Sequence, residues 1–313
     1  MPYFFVNLKR FDVPKKQGGI CPLDDPQEWI SSVIQESIWL GLGKLSGINL
    51  IYLLPEGLVS TAQRTLKQFP LEETAMVSIG CQGVHWQDVE SGKNFGAFTS
   101  SLPAKAAIVL GSDWAIIGHS EERRAKFQVI EKYDDTVNQN PKAYDRAQES
   151  INQLINAEVL CAFKAHLNVL LCVGETAIER GEGTFDDQKP RIEAVIKKQL
   201  LSSLAQAKEY LESSKFVIGY EPVWAIGPGK TPPGADYIAF VSDYIKKVLI
   251  EKIGFEPLVI YGGGLKEENA GMIASIPTLD GGLVALTRFT GEIGFHVSDL
   301  KEIIQNFLAK DGQ

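Results

Sequence analysis

The chain has 313 residues, 44% of them apolar, and a formal net charge of −8. That length supports one barrel-type domain as readily as two domains. The acidic balance, with no long basic run, argues against nucleic acid and acidic membrane surfaces as partners, and leaves room for a local cationic pocket. Four cysteines, at 21, 81, 161 and 172, lack paired metal-ligand spacing and read as reduced thiols of a cytoplasmic protein. The start MPYFFVNLKR is no signal peptide, and no apolar run approaches the roughly 20 residues of a membrane helix.

Residues 3–8 read as a strand. Asp25-Pro26-Gln27-Glu28 predicts a helix start: a capping residue, proline in the first turn, glutamate three places after the cap. Behind it Ile30, Val33, Ile34, Ile38 and Leu42 share a helical face. Asn49–Leu54 is strand-like, with a helix near residues 58–68. Residues 76–81 form a third strand, and Ala104–Leu110 reads as helical. Trp114–Ile117, residues 169–173, Phe216–Tyr220, Leu258–Tyr261 and residues 282–284 complete eight short strands. Helical patterns separate the later ones; Ile238, Val241, Ile245, Val248 and Leu249 are an example.

Strands alternating with helices predict parallel pairing, because parallel neighbours need a crossover. An open doubly wound sheet and a closed (β/α)8 barrel both fit. Polar residues follow strand after strand: Asn7 and Lys9, His119, Glu175, Glu221, and the glycines at 262–264. Chemistry gathered at the C-terminal ends of several strands is the barrel pattern.

Four groups carry candidate chemistry. Glu221 ends an apolar run in YEPVWAIGPGKT; a lone loop carboxylate is ordinarily solvated, but one backed by a glycine-centred loop can be a general base that loop closure dehydrates. His119 lies in GHSEERR; a single histidine is more often structural, but beside a helix start the dipole favours the neutral ring. Glu121 either bonds neighbouring polar groups or favours the helix start. Lys9 is a surface lysine or a cation for an anionic substrate. YGGGLKEEN, from Tyr261, is a turn able to aim N–H groups at an oxyanion.

Together these motifs resemble the triosephosphate isomerase family across nearly the whole chain. Asn7 and Lys9 match its Asn-x-Lys, and IGHSE from Ile117 to Glu121 its histidine motif. CVGETAIER from Cys172 is similar to the segment after strand five, and YEPVWAIGPGKT to the catalytic glutamate and closing loop. GAFT, Gly96 to Thr99, looks like the dimer-contact loop; YGGG and DGGLV follow in order. The resemblance implies one barrel domain over residues 1–313, usually a homodimer, acting without cofactor or metal on a small phosphorylated sugar. It implies proton transfer by Glu221, carbonyl polarisation by neutral His119, charge stabilisation by Lys9 and substrate orientation by Asn7. Gly227, Gly264, Ala285 and Leu286 fall where it binds substrate phosphate.

The departures cluster at that phosphate region. Gly264 replaces a serine, and Ala285-Leu286 a glycine pair, so the leucine side chain either crowds an anion or forces another loop path. Arg288 offers a fork to an anion or is a surface residue. Leu8 replaces tryptophan, and Glu122 stands where arginine follows the motif glutamate, with Arg123 one place on. Residues 10–24 lengthen the first βα loop, and residues 133–141 read as an inserted loop before a helical run at 143–157; such loops fall on the catalytic face of a barrel. Three functions remain open: ordinary triose-phosphate isomerisation, a related isomerase of another sugar, and a non-catalytic binding or regulatory barrel.

Overall fold

The computed structural model describes residues 1–227 and 229–309; Pro228 of the glycine-centred loop lies outside them. Eight parallel strands close on themselves in chain order. They are β1 (Tyr3–Asn7), β2 (Asn49–Leu54), β3 (Val77–Cys81), β4 (Trp114–Ile117), β5 (Asn168–Val173), β6 (Phe216–Tyr220), β7 (Leu258–Tyr261) and β8 (Gly281–Val284). β1 pairs with β2 on one side and β8 on the other, Tyr3 facing both Asn49 and Gly281. The closed alternative was therefore the right one of the two that periodicity allowed.

Alternation along each strand splits the core. Phe5, Ile51, Leu53, Trp114, Ile116, Leu170, Val217 and Ile260 fill the barrel, while neighbours such as Phe4, Val6, Leu50 and Ile218 pack outward against the helices. The first strand ends one residue before the expected boundary, because Lys9 adopts a left-handed φ of 42° and turns the chain off the barrel.

The helix Pro26–Trp39 starts as its sequence predicts: the Asp25 carboxylate accepts the Gln27 N–H at 2.8 Å, and Pro26 opens the first turn. Leu42 lies beyond it in a 3-10 turn, yet is still buried. The next helix, Glu56–Leu66, begins two residues earlier than expected, directly after Pro55. Residues 8–25 form a long connection behind β1, with a short 3-10 turn at Lys15–Gln17. The other insertion differs from the expectation. Residues 134–140 join two helices, Ser120–Tyr133 and the 24-residue Pro141–Lys164, so they do not follow a strand directly. Val137, Ala143 and Ala147 pack with Phe127 and Ile130 into a small satellite core that holds this helical pair together.

One close approach decides where the site sits. A Cβ on Gly174, just past β5, would lie 1.7 Å from the Glu221 carbonyl oxygen. Only glycine lets the β5 and β6 ends come this near. Gly174→Ala therefore lowers stability by about 2–3 kcal/mol, as overpacking does, and lowers kcat by displacing Glu221; thermal melting and steady-state rates check both, and an unchanged melt would show that this spacing is soft.

Candidate active site

Five strands deliver side chains to one mouth. Asn7 ends β1 and Lys9 follows it, Gln82 follows β3, His119 follows β4, Glu175 follows β5 and Glu221 follows β6. The Asn7 carboxamide oxygen accepts the Lys9 N–H at 3.0 Å and the Gln82 Nε2 hydrogen at 3.2 Å, and Gln82 Nε2 also donates to the Lys9 carbonyl at 2.9 Å. Two carboxamides thus hold the lysine backbone in its left-handed turn, a conformation that persists only where surroundings enforce it. The ammonium of Lys9 lies 2.7 Å from Glu121 Oε1. Burial works to raise the Glu121 pKa, but the Lys9 hydrogen bond and charge outweigh it and hold that carboxyl below its usual range.

His119 caps the Ser120–Tyr133 helix. Its Nδ1 accepts the Glu121 N–H at 3.2 Å, so that nitrogen carries no proton and Nε2 holds the ring hydrogen. Nε2 lies 3.2 Å from Glu221 Oε1. Glu221 is only 2% exposed, and its carboxylate accepts from the Ser120 N–H at 3.0 Å and the Ser120 hydroxyl at 3.3 Å. An ionised carboxylate so placed at a helix start gains from the dipole as well as from both donors.

Glu175 is fully buried beside this group. It accepts from Trp224 Nε1 at 2.7 Å, the Tyr237 hydroxyl at 2.8 Å and the Tyr220 hydroxyl at 3.1 Å. Burial pushes its pKa up against those donors. Arg180 stacks over Trp224, 3.8 Å from the ring centroid. One carboxylate therefore grips the chain on both sides of the glycine-centred loop: Trp224 before it, Tyr237 in the helix Ala235–Ile253 after it. The loop itself is exposed, and Gly227 takes φ 121° in open space.

The structure brings Asn7, Lys9, His119, Glu121 and Glu221 together, as the sequence suggested. The remaining four predicted positions lie on three loops. Gly264 turns the chain after β7 with φ 98°. Ala285 and Leu286 follow β8 without the left-handed φ that would demand glycine, and among the described residues no protein acceptor meets the Leu286 or Gly264 N–H. Leu286 does not prevent the loop from forming; the path beyond it is what differs. The backbone N–H groups of Thr287 and Arg288 both donate to the Gly294 carbonyl at 3.1 Å, and no helix lies between β8 and Val297–Leu308. Arg288 is a paired surface residue: its guanidinium donates twice to Asp299, at 2.7 and 2.8 Å. Sequence reasoning missed Gln82 and the role of Ser120. Gln82 was findable, a polar residue straight after the third strand; the Ser120 contact to Glu221 spans 101 positions and left no local signal.

No group of three or more metal-ligating side chains occurs among the described residues. No helix there is long and apolar enough to cross a membrane.

A family model described as Triosephosphate isomerase matches residues 56–305. A curated triosephosphate isomerase of Alkaliphilus metalliredigens is 31% identical over 241 residues, covering 76% of this chain and 80% of that protein. That of Carboxydothermus hydrogenoformans is 31% identical over 286 residues, covering 90% and 92%. The crystal structure of triosephosphate isomerase from Bartonella henselae superposes with a TM-score of 0.65 over 98% of this chain and 99% of that one; at 23% identity this likeness speaks for the fold alone.

Proposed function

We propose, on the premise that this chain belongs to the triosephosphate isomerase family, that it interconverts glyceraldehyde 3-phosphate and dihydroxyacetone phosphate, with residues 1–313 acting as one barrel domain. The chain is an aldose–ketose isomerase of the triosephosphate isomerase type. The observation that carries the mechanism is the pairing of a buried carboxylate with the protonated nitrogen of a neutral imidazole, Glu221 and His119 Nε2 at 3.2 Å. Glu221 takes a proton from the carbon beside the carbonyl, and His119 donates toward the carbonyl oxygen. An enediolate forms and Lys9 offsets its charge; His119 gives its Nε2 proton to the former carbonyl oxygen and takes one from the neighbouring hydroxyl, and Glu221 returns the carbon-bound proton to the adjacent carbon. To reach substrate, Glu221 leaves the two Ser120 donors; closure of the loop around Gly227 then excludes water from the intermediate.

Phosphate meets the N–H groups of Gly227, Gly264, Ala285 and Leu286, in the manner of anion sites behind the last two strands of such barrels. The substrate is a small phosphorylated sugar, no cofactor takes part, and a homodimer forms through the Gly96 to Thr99 segment beside the exposed Phe95 (80%). Four free thiols and the acidic surface favour a cytoplasmic setting.

An assay coupling glyceraldehyde 3-phosphate turnover to reduction of dihydroxyacetone phosphate tests this reading: saturable turnover is expected, and none at any concentration overturns it. The altered β8 loop favours a second reading, isomerisation of a larger sugar phosphate, which a panel of four- and five-carbon ketose phosphates separates. Replacing Ala285 and Leu286 together by glycine lowers KM for the triose phosphate about five- to tenfold with kcat little changed, the size of a removed methylene clash. An unchanged KM would show that Leu286 does not crowd the anion.

A further inference from the structure

The peptide that carries His119 is held by groups that the proposed mechanism does not use. Gly118 takes φ 76°, which turns its N–H off the strand ladder. Glu122 Oε2 accepts that N–H at 2.6 Å, and Arg123 Nε donates to the Gly118 carbonyl at 2.8 Å. Arg123 also donates to the Cys172 carbonyl at the end of β5, at 3.3 Å, and to Asn152 Oδ1 at 2.7 Å. Glu122 is further paired with Lys126, whose ammonium lies 2.8 Å from Glu158 Oε1 on the Pro141–Lys164 helix. Two carboxyls thus share one ammonium behind the catalytic turn, where Glu158 is 2% exposed.

We propose that Glu122 is a positioning residue for the isomerase reaction: its carboxylate, paired with Lys126, fixes the Gly118 peptide and through it the aim of the His119 imidazole. The proposal rests on His119 acting as the electrophile. Glu122 occupies the position where the sequence departs from the arginine of the family motif. Glu158 Oε2 meets no donor among the described residues, and its other oxygen is paired with Lys126, which Glu122 shares, so a charge on this buried carboxyl is poorly compensated. Burial, reinforced by the charge of Glu122, raises the Glu158 pKa to about 9, whereas Lys126 and the Gly118 N–H overcome burial to keep Glu122 low. The other ionisable groups around the cluster are Arg123 on the same helix, Cys161 on the second, His85 after β3 and Cys172 on β5. Above pH about 9 Glu158 loses its proton; Lys126 is then drawn between two anions, and the grip on Gly118 loosens.

Steady-state kinetics with glyceraldehyde 3-phosphate from pH 6 to 10 test this on the full chain. In Glu122→Ala, kcat falls about 30-fold with KM within about twofold, the signature of a misaimed group. Glu122→Gln, which keeps an acceptor for the Gly118 N–H, recovers to within about threefold of wild type. In Glu158→Gln the decline of kcat above pH 9 disappears. A folded Glu122→Ala with kcat within twofold of wild type overturns the proposal. If that variant does not fold, an alkaline decline unchanged in Glu158→Gln overturns it instead. His119→Gln is measured alongside: full activity there sinks the isomerase mechanism, whereas loss there with an unaffected Glu122→Ala sinks only this proposal.

Discussion

Glu221→Gln lowers kcat by about three orders of magnitude while KM stays within about threefold, the range in which a positioned general base contributes. Glutamine is isosteric and its amide oxygen still accepts from the Ser120 N–H, so the folded structure and the ground-state pocket survive. What disappears is a lone pair basic enough to take a carbon-bound proton. Glu221→Asp makes a complementary test, because it retains basicity but withdraws the carboxylate by one methylene from His119 Nε2, now 3.2 Å away. A misplacement of about 1 Å costs roughly a hundredfold, so aspartate falls between glutamine and wild type. Exchange of the substrate's carbon-bound hydrogen with solvent deuterium, followed by NMR, reads the same step directly. If both variants turn over within tenfold of wild type, another group is the base.

His119→Gln lowers kcat by about two to three orders of magnitude, the loss expected for one donor aimed at a developing oxyanion. Its effect differs from the first in kind. The Nδ1 cap on Glu121 N–H is part of the helix start, so the variant also loses a cap, a matter of about 1 kcal/mol in stability. Measuring kcat well below the variant's own melting temperature separates the two losses. A fall in Tm with kcat unchanged would make His119 a structural cap and nothing more.

Much of this was readable from residue order. The strands are short apolar runs bounded by turn residues, and their predicted edges fall within a residue of the observed ones. Ring closure was not readable, because periodicity reports which face is buried and is silent on whether the last strand meets the first. Asn7, Lys9, His119 and Glu221 announced themselves as polar residues at strand ends. Gln82 carried the same signal straight after β3 and was passed over; Ser120 carried none, since it acts through a contact to a residue 101 positions away. Asp134 to Asn140, rich in turn-forming polar residues, is the connection its composition announces; that it joins two helices was less legible, because Val137 is the one residue of this stretch packed in the satellite core.

The first strand is hydrogen-bonded to the last, and it bears the only cation the mechanism needs. During synthesis the base and the imidazole emerge from the ribosome well before the stave that shuts the ring. A nascent chain with seven staves carries every reacting side chain on an open sheet whose two edges remain unpaired. Activity therefore arrives late and abruptly, once Gly281–Val284 is in place, and any truncation that removes this eighth stave also unseats Lys9, more than 270 positions upstream.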